Sequence, residues 1–206
     1  MSRLDVMKSL LRSAAVGASE GLDRMGVGAT LRKTLAELTS RRLFISDERL
    51  TAAVARVPDV LAATVSTRDG RVRIDATFRD GGPLLLSLVP DRVMFAAHGA
   101  KEWSVLVEPN AAALDPRTAD VFAALASEVV ASFWGPLLRK AHTRGKTAFA
   151  HRDGDTLIMD LRTLPEVRAA LSQRVTATLI DALKLEAIQA EDGGLRLVPG
   201  LSGMPF

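Results

Sequence analysis

The chain has 206 residues, of which 48% are hydrophobic and 25% are charged, the balance of an ordinary globular protein. It contains no cysteine, which excludes a disulfide framework, a thiolate metal site and a thiol nucleophile. No stretch approaches the roughly 18 apolar residues of a membrane-spanning helix. Asp5, Lys8 and Arg12 interrupt any signal-peptide core. We therefore expect a cytoplasmic protein, either soluble or bound at the periphery of a membrane.

Residues 1–45 are predicted to form a basic helical arm. Residues 1–46 carry eight basic and four acidic side chains, so they hold a charge of +4 within a chain whose net charge is only +3. Such asymmetry favours an anionic membrane surface or an acidic protein as partner, although a basic, solvated helix face has the same composition. The predicted contact residues form a short apolar stripe with basic neighbours: Leu4, Met7, Lys8, Leu11 and Arg12.

The same stripe has a second interpretation. An amphipathic helix in a soluble protein usually folds back onto its own domain, or packs on a second copy in a homodimer. The apolar pattern restarts at Leu31, Leu35 and Leu38 with helical spacing, after several glycines.

Residues 46–206 are predicted to form one α+β domain. Ser46 can cap a helix over "DERLTAAVARV". From residue 61 the spacing of the apolar residues changes from that of a helix to every second position, which is typical of a strand. Asp69 and Gly70 predict a tight hairpin turn. With "PLLLSLV", "RVMFAAH" and "EWSVLVE" as further strands, the pattern indicates an antiparallel meander of five strands.

The second half of the domain is predicted to hold two helices and two more hairpins. Asp115-Pro116 begins a highly apolar helix, "RTADVFAALASEVVASFW", which Gly135-Pro136 stops or kinks. Hairpins turn at Asp153-Gly154 and Asp192-Gly193, separated by a helix from Pro165 to about Leu183. A helix followed by an Asp-Gly hairpin therefore occurs at 46–79 and at 165–198. The pattern fits either an internal duplication or the frequency of Asp-Gly in hairpins.

These elements predict a helical N-terminal arm followed by a curled antiparallel sheet wrapped around a long apolar helix. The groove between sheet and helix would have two apolar walls, which suits an acyl chain. Its predicted ligand-binding residues are the apolar side chains that periodicity places on the inner faces: Val72, Ile74, Phe78, Trp103, Val105, Phe122, Val129, Phe133, Leu157 and Met159.

In element order, "RVRIDATF" to "WSVLVE", the helix "DPRTADVFAALASEVVASFW" and the hairpin "LKLEAIQAEDGGLRLVPG" resemble the tubular lipid-binding (TULIP) superfamily. The resemblance covers about residues 46–200 and carries no diagnostic motif. It implies a long helix wrapped by a bent antiparallel sheet, and binding or transport of a lipid without chemistry.

No sequence motif indicates a reaction centre. The stretch "GVGATLRKT" lacks the glycine that a phosphate-binding loop has immediately before its lysine, and His98, His142 and His151 have no metal-ligand spacing. With no tyrosine and two tryptophans, the chain also lacks the exposed aromatics of a nucleic-acid-binding surface. We expect a non-enzymatic protein, without cofactor or metal, that binds a lipid or other hydrophobic ligand. The alternative is a protein-interaction or scaffold module with a packed core and a basic docking arm; an enzyme without a recognisable motif is a third possibility.

Overall fold

The computed structural model describes residues 43–96, 99–108, 115–135, 138, 150–173, 177, 180–181 and 183–201. The predicted contact residues of the arm, Leu4, Met7, Lys8, Leu11 and Arg12, lie outside this part of the chain. The described part is mainly antiparallel sheet, which the alternating apolar pattern predicts correctly.

The described residues form nine strands in two separate sheets. The larger sheet has the order β2-β3-β4-β5-β7-β6, and the smaller has the order β1-β9-β8. The strands of the larger sheet are β2 (Val60–Arg68), β3 (Arg71–Phe78), β4 (Gly82–Phe95), β5 (Lys101–Val107), β6 (Ala150–Asp153) and β7 (Thr156–Asp160). Those of the smaller sheet are β1 (Leu43–Ser46), β8 (Leu183–Glu191) and β9 (Gly194–Leu201).

The described residues also form three α-helices and one short 3₁₀ helix. These are α1 (Asp47–Val54), α2 (Arg117–Trp134), α3 (Pro165–Leu171) and the 3₁₀ turn Leu161–Thr163. Helix α1 begins after Ser46, as predicted, although the Ser46 side chain makes no capping hydrogen bond. Helix α3 ends at Leu171 and a turn follows at residues 172–173, so the predicted helix is interrupted there; the described residues 177, 180 and 181 are again helical, and Leu183 already belongs to β8.

The predicted hairpins at the three Asp-Gly turns are confirmed: β2 pairs with β3, β6 with β7 and β8 with β9, all antiparallel. At the first turn both Asp69 (φ 53°) and Gly70 (φ 73°) are left-handed, as a two-residue hairpin of this kind requires. The five-strand meander is wrong in one place. "PLLLSLV" and "RVMF" are a single 14-residue strand, β4, whose pairing with β5 shifts register between Pro90 and Arg92.

The predicted fold class is wrong. Instead of one sheet curled around a long apolar helix, the described part of the chain has two sheets, and its longest helix, α2, has 18 residues and is amphipathic. Val121, Leu125 and Val129 on one face of α2 are buried, whereas Asp120 and Ala131 on the other are exposed. Because only one face of α2 needs cover, no sheet has to enclose it.

The predicted helical N-terminal arm is also wrong for the few of its residues that the structure describes. Of residues 1–45, the structure describes only 43–45, and these lie in strand β1 rather than in a helix. Strand β1 pairs with β9 near the other end of the described chain, with Leu43 opposite Leu197. Its partner is remote in sequence, so local periodicity could not indicate this strand.

The two sheets and the three described α-helices share one hydrophobic core. Strand β8 lies beside β4, β3 and β2, whereas α2 contacts α1, β1, β6 and β7. The inner face of the larger sheet follows the period-two pattern, with Val72, Ile74 and Phe78 buried and Arg73 and Asp75 exposed.

A hydrogen-bonded joint at Asp47 connects the sheets. Its backbone N–H donates to Gly193 O (2.9 Å), and its carboxylate accepts from Thr67 N (3.1 Å) and Thr67 Oγ1 (2.7 Å). Gly193 N in turn donates to Thr67 O (3.1 Å). One helical turn after Asp47, Thr51 Oγ1 accepts a hydrogen bond from Val65 N (2.9 Å), so α1 also covers part of the free edge of β2.

Candidate functional site

The ten predicted ligand-binding residues come together between α2 and the larger sheet. Nine are buried and only Phe133 is partly accessible. The rings of Trp103 and Phe122, one on β5 and the other on α2, lie 4.9 Å apart between centroids. These residues form the centre of the core, and solvent reaches the group only near Phe133, at the C-terminal end of α2.

At that end three aromatic rings from two elements meet. The centroid of Phe95 on β4 lies 5.2 Å from that of Trp134 and 6.5 Å from that of Phe133, and the last two are 5.6 Å apart. Their tilted and edge-on arrangements are those that aromatic pairs prefer. Phe95 therefore links the end of β4 to the end of α2.

A surface pocket of about 350 Å³ lies between β4 and β8, and we call it the aromatic opening. Its volume is in the range of small-molecule sites. Met94 forms part of its rim and is 38% exposed, and Lys184 and Glu186 form an ion pair on the β8 side (2.9 Å). The residues that line it are Val93, Met94, Phe95, Ala96, Lys184, Leu185 and Glu186.

The pairing of β4 with β5 places residues of the aromatic opening next to buried residues of β5. Val93 lies opposite Trp103, and Phe95 lies opposite Lys101. The sequence predicts a strand at Val93 and Phe95 but does not assign them to the site. Their alternation shows that they share one face of that strand, but the pairing that brings them beside Trp103 depends on the register shift at Pro90.

Lys101 is a buried cation on the same face of β5 as Trp103. It is 1% exposed, its ammonium lies 3.0 Å from Asp181 Oδ1, and it donates a hydrogen bond to Ala96 O. A buried charge requires such partners because desolvation is costly. Sequence reasoning missed Lys101 because lysines are normally solvated; the only signal was its alternation in phase with Trp103, Val105 and Val107.

Both tryptophans have a buried indole N–H for which the described residues provide no acceptor. Trp103 is 1% exposed and Trp134 is fully buried. A buried donor without a partner costs about 1–3 kcal/mol, so such groups are usually paired with protein, water or a ligand. The core thus contains two donors able to bind an oxygen atom, Trp134 at its aromatic end and Trp103 beside Phe122 at its centre.

Asp160 and Arg162 form a second charged pair next to Lys101. The Arg162 guanidinium contacts both carboxylate oxygens of Asp160, at 3.0 Å and 3.1 Å from Nε and 2.6 Å from Nη2. Burial alone would raise the pKa of Asp160, but the hydrogen bonds from Arg162 and the charges of Arg162 and Lys101 outweigh it and lower that pKa. Hydrogen bonding to Asp160 raises the pKa of Arg162. Both groups stay ionised near neutral pH, which suits an electrostatic role rather than proton transfer.

In the described part of the chain, no group of three or more His, Cys, Asp or Glu side chains could hold a metal ion, and of the three histidines only His151, exposed on β6, is described. None of the described helices is long and apolar enough to cross a membrane.

Comparison with protein-family models, curated proteins and solved structures gives no match for this chain. The resemblance to the TULIP superfamily therefore stays a prediction from the sequence, and any function has to be argued from the geometry of the chain itself.

Proposed function

We propose that the protein binds a hydrophobic ligand, a lipid or fatty acid, at the aromatic opening without catalysing a reaction. The observation that carries the proposal is the position of Phe95, which lines the opening on one side and contacts Trp134 on the other. The proposed binding site therefore lies at the end of the predicted groove, near the partly accessible Phe133, and not at its centre.

The chemistry of the opening favours an apolar chain with an oxygen-containing head group. Burying each methylene against Val93, Phe95 and Leu185 would contribute about 0.8 kcal/mol. A head-group oxygen could accept hydrogen bonds from the indole N–H groups, and the positive charge of Lys101 would favour a carboxylate or phosphate over a neutral group.

Intrinsic fluorescence provides a direct test, because Trp103 and Trp134 are the only tryptophans of the chain. A fatty acid brominated along its chain should quench their emission saturably in the full-length protein. The same fatty acid without bromine should compete for the site and restore the emission.

A matched pair of substitutions locates the binding site. Met94, on the rim of the opening, and Leu106, on the outer face of β5, are exposed to similar extents, 38% and 42%. Met94→Asp should weaken quenching at least tenfold, because it places a negative charge where the ligand enters. Leu106→Asp should leave quenching unchanged. Absence of saturable quenching in the intact chain, or equal weakening by both substitutions, would contradict the proposal.

A further inference from the structure

A second concavity lies on the opposite side of α2, and we call it the helix groove. It encloses about 430 Å³ between the C-terminal part of α1, the exposed face of α2 and the start of α3. Its floor is made by small side chains of α2, Ala123, Ala124, Ser127 and Ala131, at spacings that place them on one face. Small residues in such a row let another segment approach the helix backbone closely.

One ion pair holds the walls of the helix groove together, and the rim is acidic. Arg49 on α1 pairs with Glu128 and donates to Ser132 Oγ (3.0 Å), which holds α1 against α2. Four charged residues line the groove, Arg56 against Asp120, Glu128 and Glu166. Among the described residues, neither Asp120 nor Glu166 takes part in an ion pair. Apart from the paired Glu128, the lining therefore presents two carboxylates against the single cation Arg56, which leaves the groove with a net negative charge beside an apolar floor.

We propose that residues 31–42 of the same chain dock in the helix groove. This segment carries four basic side chains and one acidic one, which complements the carboxylates of the rim. Leu31, Leu35 and Leu38 recur at helical spacing and would supply the apolar face that meets the alanine floor. Twelve helical residues span about 18 Å, close to the roughly 17 Å of α2 from Asp120 to Ala131.

The chain connection favours this segment over other basic partners. Residue 42 immediately precedes β1, and β1 runs without a loop into α1, which forms one wall of the groove. A segment tethered by so few residues has an effective concentration in the millimolar range, far above that of a free partner.

Engineered cysteine pairs test the proposal in the full-length chain, which has no cysteine of its own. Leu35→Cys combined with Ala131→Cys, on the exposed part of the groove floor, should form a disulfide within one chain under mild oxidation. The matched control combines Leu35→Cys with Thr77→Cys, exposed on the outer face of the larger sheet. We expect the groove pair to close at least tenfold faster than the control.

Charge reversal tests the acidic rim separately. Asp120→Lys together with Glu166→Lys should slow closure of the groove pair at least fivefold, and thermal unfolding of each variant verifies that the fold is retained. Equal closure rates for the two cysteine pairs, disulfides found only between two chains, or closure that is insensitive to the charge reversal would overturn the proposal. The fatty-acid titration is independent of these outcomes, since the aromatic opening lies elsewhere.

Discussion

The aromatic opening and the helix groove lie at two surfaces of one core and differ in side-chain size and charge. Phe95 and Leu185 line the first, with a buried cation and two unpaired indole donors nearby, whereas alanines line the second under an acidic rim. The difference separates two kinds of partner: an apolar chain with an oxygen head group, and a basic segment of polypeptide. It also predicts that similar substitutions will affect stability very differently at the two surfaces.

The largest effect is expected at the aromatic end of the core. Trp134→Ala removes a fully buried ring that contacts Phe95 and Phe133, so it should destabilise the protein by about 3–5 kcal/mol. Trp134→Phe should cost clearly less, because it retains a ring and removes the unpaired N–H. Urea unfolding of the three proteins measures the differences, and an equal loss for both substitutions would show that the ring packing is unimportant.

The next effect concerns the buried ion pair. Asp181→Asn leaves the Lys101 ammonium without its counter-charge, and because Asp181 is partly accessible the loss should be about 2–3 kcal/mol. Lys101→Met combined with Asp181→Asn should recover part of this loss, since the stranded charge is gone. If the double variant is less stable than Asp181→Asn alone, the ammonium makes further favourable contacts that outweigh its desolvation.

The pH dependence of stability provides a smaller and more specific test. Because the pKa of Asp160 is lowered in the folded protein, its contribution is fully present above the unfolded pKa and is lost as pH falls through the folded value. Stability should therefore decline between about pH 5 and pH 2, and Asp160→Asn should reduce that slope. Urea midpoints measured across this range provide the comparison; an unchanged slope would assign the acid sensitivity to other carboxylates.

The smallest effect on stability is expected in the helix groove. Ala131 is exposed, so Ala131→Lys should change the free energy of unfolding by no more than about 0.5 kcal/mol. The added charge should still repel a basic segment and weaken docking. A thermal-unfolding curve of Ala131→Lys that matches the parent protein would confirm that the two surfaces differ in their contribution to stability. A loss of more than about 2 kcal/mol in the free energy of unfolding would show that they do not.

Local patterns predicted the hairpins and the buried stripe of α2 because turn chemistry and periodicity act over a few residues. Asp69-Gly70 and Asp192-Gly193 close hairpins as expected, and Val121, Leu125 and Val129 face the core. The arrangement of the elements was not predictable in this way. Whether a sheet encloses a helix depends on which other elements cover the core, and here the smaller sheet occupies part of the inner face.

Only part of the candidate site could be predicted from the sequence, again because local patterns do not specify how the elements are arranged. Periodicity identified Trp103 and Phe122 as inner residues, and they do contact each other. Phe95 comes close to these residues through a register shift at Pro90, which no local pattern encodes. Lys101 lies on the face of Trp103 by simple alternation, but lysine is normally solvated, and the tertiary context overrides that preference.

The pairing of β1 with β9 has a consequence for the order of folding. The hairpins β2–β3, β6–β7 and β8–β9 join neighbours in the chain, so each can form early at a low entropic cost of loop closure. Leu43 meets Leu197 only after nearly the whole described chain has been arranged between them. This high-contact-order step also brings Gly193 to Asp47 and locks the two sheets together. The three-stranded sheet is therefore completed last, and during synthesis β1 stays without its strand partner until β9 has been made.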